Sequence, residues 1–212
     1  MKEHSPKIIE AAKKIQFIAF DVDGVLTDGR VSYTSAGDEV KSFNVRDGHA
    51  IKLLGRAGLS AAIITGRESA MVDRRARELG IELVYQGARE KNISIDEIVG
   101  RLGLSLAEIA YMGDDVVDLP VMARVGLGCC PADAAPELLD RAALVTEAAG
   151  GHGAARELIM FILKTKGLYD GIMEKYLSPG EIMPSFRTRR SREPESGSNA
   201  FHHRVTEDTE ED

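Results

Sequence analysis

The chain has 212 residues, a formal net charge of −7 and an apolar content of 43%, which fits one compact domain with a sizeable core. An acidic chain with only 5% aromatic residues lacks the cations and stacking surfaces of a nucleic-acid-binding protein, so we expect no nucleic-acid partner. It also lacks an apolar run of about 20 residues, so we expect no membrane-spanning segment.

The N-terminal residues and the two cysteines bear on the cellular compartment. The first 16 residues carry charges throughout and lack the apolar centre of a secretory signal peptide. Cys129 and Cys130 are adjacent, so they provide neither a disulfide framework nor a metal site, and we interpret them as buried apolar residues. A reducing, cytoplasmic compartment is the simplest interpretation.

Strands and helices alternate along most of the chain. Residues 15–20 form a near-continuous apolar run, which is typical of a strand buried on both faces. Residues 30–34 and 39–43 alternate in polarity around a turn, which predicts a β-hairpin within residues 29–43. The other predicted strands are 59–65, 81–85, 109–113, 125–129 and 143–146, and the predicted helices are 47–57, 69–79, 92–102, 117–125, 136–141 and 153–168.

This alternation predicts an α/β fold with a doubly wound parallel sheet and right-handed crossovers. A small hairpin insertion is the only addition to the sheet that we predict. Residues 1–178 are then one domain, and the polar residues 179–212, too poor in apolar side chains to repay ordering, are predicted to be a disordered tail. Ligands of such sheets bind beyond the carboxyl ends of the strands.

Carboxylates follow two of the predicted strands. Asp21 and Asp23 follow the first strand, and Asp114, Asp115 and Asp118 follow the strand at 109–113. Five carboxylates at one edge would repel one another strongly unless a divalent cation lay among them, and an all-oxygen set favours Mg²⁺.

Two further residues complete a set suited to phosphoryl chemistry. Thr65 ends the strand at 59–65, and Lys91 precedes the helix at 92–102, so both can donate to phosphoryl oxygens. Alternation along an extended segment lets Asp21 and Asp23 face one site, where one attacks phosphorus and the other acts as acid and base. The combination predicts phosphate-ester hydrolysis through an aspartyl-phosphate.

Several segments resemble a known family. FDVDGVLTD, IITGR, Lys91 and GDDVVDLP resemble the four signature motifs of the haloacid dehalogenase (HAD) superfamily. FNVRDGHAI and AAGGHGAARELIMFIL resemble its small capless branch, which includes the phosphatases of 3-deoxy-D-manno-octulosonate 8-phosphate (KDO 8-phosphate). The resemblance covers about residues 8–178. It implies Mg²⁺-dependent hydrolysis of KDO 8-phosphate to KDO and phosphate, a step of lipopolysaccharide biosynthesis.

The resemblance also implies residue roles. Asp21 is the nucleophile and a metal ligand, Asp23 is the acid/base and gives its backbone carbonyl to the metal, and Asp114 completes the metal site. Thr65 and Lys91 hold the phosphoryl group. The implied supporting residues are Gly66, Asp115 and Asp118.

The substrate implied by the resemblance is a small anionic sugar-acid phosphate. At Lys52 the family usually has arginine, so a planar two-pronged contact becomes a point charge. The implied substrate-binding residues are Asp23, Asn44, Val45, Arg46, Asp47, Gly48, Lys52, Arg67, Arg75 and Lys91. Because a hairpin is too small to close over such a substrate, the resemblance also implies a homotetramer whose hairpins help to cover neighbouring active sites.

Two alternatives remain at this stage. Capless phosphatases of nine-carbon sugar-acid phosphates, such as those of sialic or deaminoneuraminic acid, share the fold and similar motifs. A non-enzymatic receiver domain of phospho-signalling also combines acidic residues with Thr and Lys on a doubly wound sheet. In receivers the acidic pair comes early and the lysine last, whereas here Lys91 precedes the GDD pair, so the order of the residues disfavours this alternative.

Overall fold

A six-stranded parallel sheet forms the centre of the fold. In the computed structural model, which describes residues 4–177, the strands of this sheet are β1 (Phe17–Phe20), β4 (Ser60–Ile64), β5 (Leu83–Tyr85), β6 (Ile109–Met112), β7 (Leu127–Cys130) and β8 (Leu144–Val145). A separate antiparallel hairpin consists of β2 (Ser32–Tyr33) and β3 (Glu39–Val40).

The order of the strands, β5-β4-β1-β6-β7-β8, makes the sheet doubly wound, as predicted from the sequence. From the central β1 the chain winds outward through β4 and β5, and then back across β1 to β6 and onward. The winding changes direction between β4 and β6, and sheets of this kind bind ligands at such a switch point.

Eight α-helices flank the two faces within the described residues. They are α1 (Pro6–Lys14), α2 (Val45–Arg56), α3 (Ala70–Leu79), α4 (Lys91–Leu102), α5 (Leu119–Met122), α6 (Pro136–Leu139), α7 (Ala154–Thr165) and α8 (Tyr169–Leu177). The Asn44 and Ser69 side chains cap α2 and α3, and Gly80 ends α3 in the left-handed conformation. No described helix is long and apolar enough to span a bilayer.

The core lies on both faces of the sheet because successive side chains of β1 point in opposite directions. Ile18 and Phe20 pack with residues of α1, α2, α3 and α7. Phe17 and Ala19 pack on the other face with residues of α4 and α5. All four residues are almost fully buried, so the strand that precedes the first aspartates is held from both sides.

Three elements differ from the sequence-based prediction. Helix α1 was not predicted. The predicted helix 153–168 ends at Thr165, because Gly167 takes a left-handed conformation before α8 begins. The predicted helix 117–125 is a 3-10 turn, Val116–Asp118, followed by the single turn of α5, since Asp115 and Asp118 form a capping box around the 3-10 turn. The predicted tail 179–212 lies outside the described residues.

Candidate active site

Asp21 lies directly beyond the carboxyl end of the central strand. Its backbone N–H donates to the Met112 carbonyl at 2.9 Å, which extends the pairing of β1 with β6 by one residue. The following loop turns back on itself and is anchored by Val22 and Val25, both fully buried. One carboxylate oxygen of Asp21 accepts the Val22 N–H at 2.7 Å. The side chain is therefore fixed at the switch point of the sheet.

Lys91 bridges Asp21 and Asp118. Its Nζ lies 2.7 Å from Asp21 Oδ2 and 2.6 Å from Asp118 Oδ1, and its side chain is 3% exposed. Burial alone would lower the pKa of Lys91, but the two neighbouring carboxylates outweigh burial and raise it. The ammonium group therefore stays charged beside Asp21, where a phosphoryl group would carry negative charge.

Asp118 is a fully buried carboxylate with four donors. Its Oδ1 accepts from Lys91 Nζ and from the Tyr111 hydroxyl, each at 2.6 Å. Its Oδ2 accepts the backbone N–H groups of Asp114 and Asp115 at 3.0 and 3.2 Å. Each oxygen of Asp118 thus accepts two donors, so Asp118 holds Lys91 and the loop after β6 in place.

Asp21 and Asp114 are suited to hold a cation. Carboxylate oxygens of Asp21, Asp114 and Asp118 lie within 4.8 Å of one another. Each oxygen of Asp118 accepts two protein donors, whereas each oxygen of Asp21 accepts one, so Asp21 and Asp114 are the acids of this cluster with lone pairs left for an ion. Burial, followed by repulsion from Asp21 and Asp118, raises the pKa of Asp114 to about 7. Two carboxylates that resist ionisation beside each other fit a hard divalent cation such as Mg²⁺.

Thr65 lies beyond the end of β4, the neighbour of β1. It is buried, its N–H donates to the Tyr85 carbonyl at 2.9 Å, and its own carbonyl accepts the Ala88 N–H at 3.0 Å. These bonds fix the backbone at the same edge of the sheet as Asp21. Gly66 follows with open space around its Cα, so the backbone there is accessible to a ligand.

Asp23 is surrounded by charges that come from the hairpin and from the loop after β4. Its Oδ1 pairs with Lys41 Nζ, and its Oδ2 lies 3.6 Å from Arg67 Nε. Arg67 also donates to Glu39 at 2.9 Å, and Glu39 Oε1 lies 3.6 Å from Lys41 Nζ. Asp23, Lys41, Glu39 and Arg67 thus form a closed ring of alternating charge, which we call the hairpin ring.

The start of α2 lies against Arg75 of α3. The Arg75 guanidinium donates to the Asn44 carbonyl at 3.4 Å and lies over the ring of Phe43. A Cβ on Gly48 would come within 2.2 Å of Arg75 Nη2, so a larger residue there would displace the guanidinium from its present position. Arg46 is exposed beside them, and its N–H is capped by Asn44 at 2.8 Å. The structure thus places most of the implied substrate-binding segment 44–48 against Arg75, which the resemblance also assigns to substrate binding.

Known proteins share this sequence over most of its length. The profile of haloacid dehalogenase-like hydrolases matches residues 82–158. The KDO 8-phosphate phosphatase KdsC of Salmonella typhimurium is 42% identical over 166 residues, which are 78% of this chain and 88% of that protein. The chain belongs to the KDO 8-phosphate phosphatase family of the HAD superfamily. It is therefore a member of a family of phosphomonoester hydrolases, as the sequence motifs predicted.

Solved structures of this phosphatase family have the same fold. The crystal structure of the KDO 8-phosphate phosphatase from Yersinia pestis superposes with a TM-score of 0.77 at 42% identity, covering 78% of this chain and 90% of that one. The enzyme from Moraxella catarrhalis, crystallised with a magnesium ion, a phosphate ion and a KDO molecule, superposes with a TM-score of 0.80 at 39% identity, covering 82% and 99%.

Asp47 and Lys52, which the resemblance assigns to substrate binding, have side chains that lie outside the acidic cluster. Asp47 is buried, and its carboxylate accepts the backbone N–H groups of Gly153 and Arg156 at 3.2 and 2.7 Å, at the start of α7. Lys52 is exposed and lines a cavity of about 590 Å³ whose wall includes Phe17 and residues at the amino end of β4. Neither side chain joins the acidic cluster, and their substrate contacts remain predictions.

Sequence reasoning did not identify Glu39, Lys41 and Tyr111 as parts of the site. Glu39 and Lys41 belong to the predicted hairpin, and Tyr111 to a predicted buried strand. A signal for Tyr111 was present, because a buried tyrosine hydroxyl needs a partner and GDDVVD begins two residues after it. For the hairpin pair no local signal exists, since the contacts depend on how the hairpin folds back over the site.

Proposed function

We propose that this chain is a Mg²⁺-dependent phosphatase that hydrolyses KDO 8-phosphate to KDO and phosphate, a step of lipopolysaccharide biosynthesis in the cytoplasm. The observation that carries the proposal is the Asp21–Lys91 pair at 2.7 Å, with Asp114 beside it, at the switch point of the sheet. In that place a carboxylate nucleophile, a fixed ammonium group and a cation site converge, as phosphoryl transfer requires.

The residues support a two-step reaction. An oxygen of Asp21 attacks phosphorus while Asp23 gives a proton to the departing sugar oxygen, which leaves an aspartyl-phosphate and the free sugar acid. Asp23 then takes a proton from water, the water oxygen attacks phosphorus, and inorganic phosphate leaves Asp21 in its original form. Lys91 and Thr65 hold the phosphoryl oxygens throughout.

Asp21, Asp114 and the backbone carbonyl of Asp23 would hold a Mg²⁺ ion, which would offset the negative charge of the carboxylates and the phosphoryl group. The rise in the pKa of Asp114 supports this assignment, because a bound cation would offset the repulsion between the two ionised acids. The relative from Moraxella catarrhalis was crystallised with magnesium, which supports the choice of metal.

The carboxylate of the substrate requires cations beyond the phosphoryl pocket. Arg67 lies next to Asp23, and Arg75 lies against the start of α2, where Arg46 is exposed. These three guanidinium groups are the proposed partners of the sugar acid, since arginine binds carboxylates through two parallel hydrogen bonds. The KDO molecule found with the Moraxella catarrhalis enzyme supports a sugar acid as the ligand.

We further propose that the chain assembles as a homotetramer through its hairpin. Large apolar side chains of the hairpin, namely Val31, Tyr33 and Val40, are 45 to 63% exposed. Exposed apolar patches of this kind mark interaction surfaces. Light scattering coupled to size-exclusion chromatography is expected to give four times the monomer mass, and a stable, fully active monomer would contradict this proposal.

Phosphate release from a panel of phosphate esters tests the function. We expect KDO 8-phosphate to be hydrolysed with a higher kcat/KM than sialic acid 9-phosphate, deaminoneuraminic acid 9-phosphate and sugar phosphates without a carboxylate, and only when Mg²⁺ is present. Preference for a nine-carbon ester would reassign the substrate and keep the chemistry. Absence of turnover for every ester would contradict the proposed function.

Binding of Mg²⁺ is expected to release about one proton and to become tighter between about pH 6 and about pH 8. The reason is that Asp114, with a pKa raised to about 7, must ionise before it binds the ion. In the metal-free protein, the raised pKa of Asp114 contributes stability that is fully present below the ordinary aspartate pKa of 3.8. This contribution is lost as the pH rises through about 7. Added Mg²⁺ should therefore raise the melting temperature more at pH 8 than at pH 6.

Isothermal titration calorimetry in two buffers of different ionisation enthalpy measures this proton release directly. An Asp114→Asn variant serves as the control, because it lacks the titrating group and should lose most of the affinity for Mg²⁺. Affinity that does not change with pH in the wild type would contradict the assignment of Asp114 as a ligand.

Replacing Gly24 by alanine is expected to weaken Mg²⁺ binding and turnover at least tenfold. Gly24 has φ +84°, and a Cβ there would lie 2.0 Å from Asp114 Oδ2, so the carboxylate must move away from the ion. Gly58→Ala is a matched control, because Gly58 has φ +80° with nothing within 4 Å of the added Cβ. Both variants carry a left-handed alanine, which costs about 1–2 kcal/mol of stability. Equal loss of activity in both would show that backbone strain, and not contact with Asp114, is responsible.

A further inference from the structure

The hairpin ring connects the insertion to the catalytic loop. Two of its members, Glu39 and Lys41, come from the hairpin, and the other two, Asp23 and Arg67, follow β1 and β4. Ser69 adds a fifth anchor, because its hydroxyl donates to Glu39 Oε2 at 2.6 Å. The hairpin is thus attached to the active site through charged side chains.

We infer that Lys41 is a positioning residue that holds the Asp23 carboxyl for proton transfer to the departing sugar oxygen, and that Glu39 holds Lys41 and Arg67 for the same purpose. This inference rests on the proposed function, in which Asp23 is the acid and base. Two oxygens of Asp23 face two different cations, Lys41 on one side and Arg67 on the other. Such a clamp fixes the direction in which the carboxyl group points.

The burial of Lys41 distinguishes this contact from an ordinary surface ion pair. Its side chain is only 2% exposed, whereas the side chain of Arg30 on the same hairpin is 85% exposed beside Asp28. Exposed pairs contribute about 0–1 kcal/mol and leave both partners mobile. A lysine buried to this degree requires its carboxylate partners, because an unpaired buried charge costs several kcal/mol. Lys41 is therefore committed to Asp23 and Glu39.

The arrangement gives the hairpin a function besides covering the site. A general acid must lie within hydrogen-bonding distance of the leaving oxygen, and small errors in orientation reduce the rate strongly. Since Asp23 lies in a loop, its side chain needs support from outside that loop. The hairpin supplies this support through Lys41, which contacts the Asp23 carboxylate from outside the loop.

The experiment compares two leaving groups in the variants Lys41→Met and Glu39→Gln. A sugar alkoxide needs a proton from Asp23 as it departs, whereas p-nitrophenolate leaves without one. For Lys41→Met we expect kcat with KDO 8-phosphate to fall about 10- to 100-fold, within the range of general acid catalysis. The first-turnover release of p-nitrophenolate from p-nitrophenyl phosphate should change less than about threefold, because only this first step is independent of Asp23 as acid and base. Glu39→Gln should show the same selectivity with a smaller loss, and Lys41→Arg should recover part of the rate.

Two hairpin variants outside the ring, Arg30→Met and Asp38→Asn, are the matched controls and should keep both rates. If Lys41→Met and Glu39→Gln slow both leaving groups equally, or slow neither, the inference is wrong and the ring is only structural. The proposed function is tested separately by the wild type. If the wild type prefers another alkyl phosphate, that ester replaces KDO 8-phosphate in the comparison, and if it hydrolyses no ester, both proposals fail.

Discussion

Replacing Asp21 by asparagine is expected to reduce phosphatase turnover by at least about 10³-fold, a loss on the scale found when a covalent nucleophile is removed. Asparagine keeps the size of the side chain but offers a weak nucleophile and one oxygen fewer for a cation. It also removes the charge 2.7 Å from Lys91 Nζ. Phosphate release with KDO 8-phosphate at saturating Mg²⁺ measures the effect.

The same variant should remain folded. Asp21 lies beyond the last residue of β1, and Lys91 keeps Asp118 as a counterion at 2.6 Å. We expect trapping experiments with acid quench to find phosphate bound covalently to the wild type and none bound to Asp21→Asn. Asp170→Asn, on the exposed start of α8, is a control for the chemical change alone. Turnover within tenfold of the wild type would contradict the role of Asp21.

The sequence was sufficient to predict the parallel sheet and the edge at which the site lies. Phe17 and Ile18 belong to a short apolar run, and such a run is the main sequence pattern of a buried parallel strand. Because the carboxyl ends of parallel strands meet at one edge, the positions of Asp21, Thr65 and Asp114 after predicted strands indicate a common edge of the sheet. In the structure, β1 pairs with both β4 and β6, and these pairings set the order of the central strands.

What the sequence could not show depends on contacts between distant segments. Lys41 lies 18 residues from Asp23, and its amphipathic hairpin gives no indication of which side chain turns inward. The carboxylate of Asp47 accepts from Arg156, 109 residues away, and thereby caps a helix that follows the last strand. These two contacts depend on the tertiary fold, whereas propensity and periodicity are local. Helix α1 is the exception, because it was missed although Pro6 at its start and its alanine, glutamate and lysine residues are local helix signals.

The second large effect that we expect is on folding, in the variant Asp118→Asn. The carboxylate is fully buried and accepts from Lys91, Tyr111 and two backbone N–H groups. An amide has one oxygen, so its NH₂ group must face two of these four donors, and Lys91 loses one of its two counterions. Breaking a buried ion pair from one side costs about 3–5 kcal/mol. For a domain of this size the melting temperature should fall by about 10 °C.

Turnover in Asp118→Asn should also fall, by about 10²-fold, since Lys91 would no longer be held where phosphoryl charge develops. Thermal unfolding followed by circular dichroism measures the first effect, and phosphate release well below the melting temperature measures the second. Asp140→Asn, at the exposed end of α6, makes the same chemical change without buried partners and should alter neither. Tyr111→Phe removes one donor and leaves the charge, so it should cause a smaller loss of stability. A melting temperature for Asp118→Asn within about 2 °C of the wild type would mean that the buried network contributes little to the fold, because a shift of that size corresponds to about 1 kcal/mol or less.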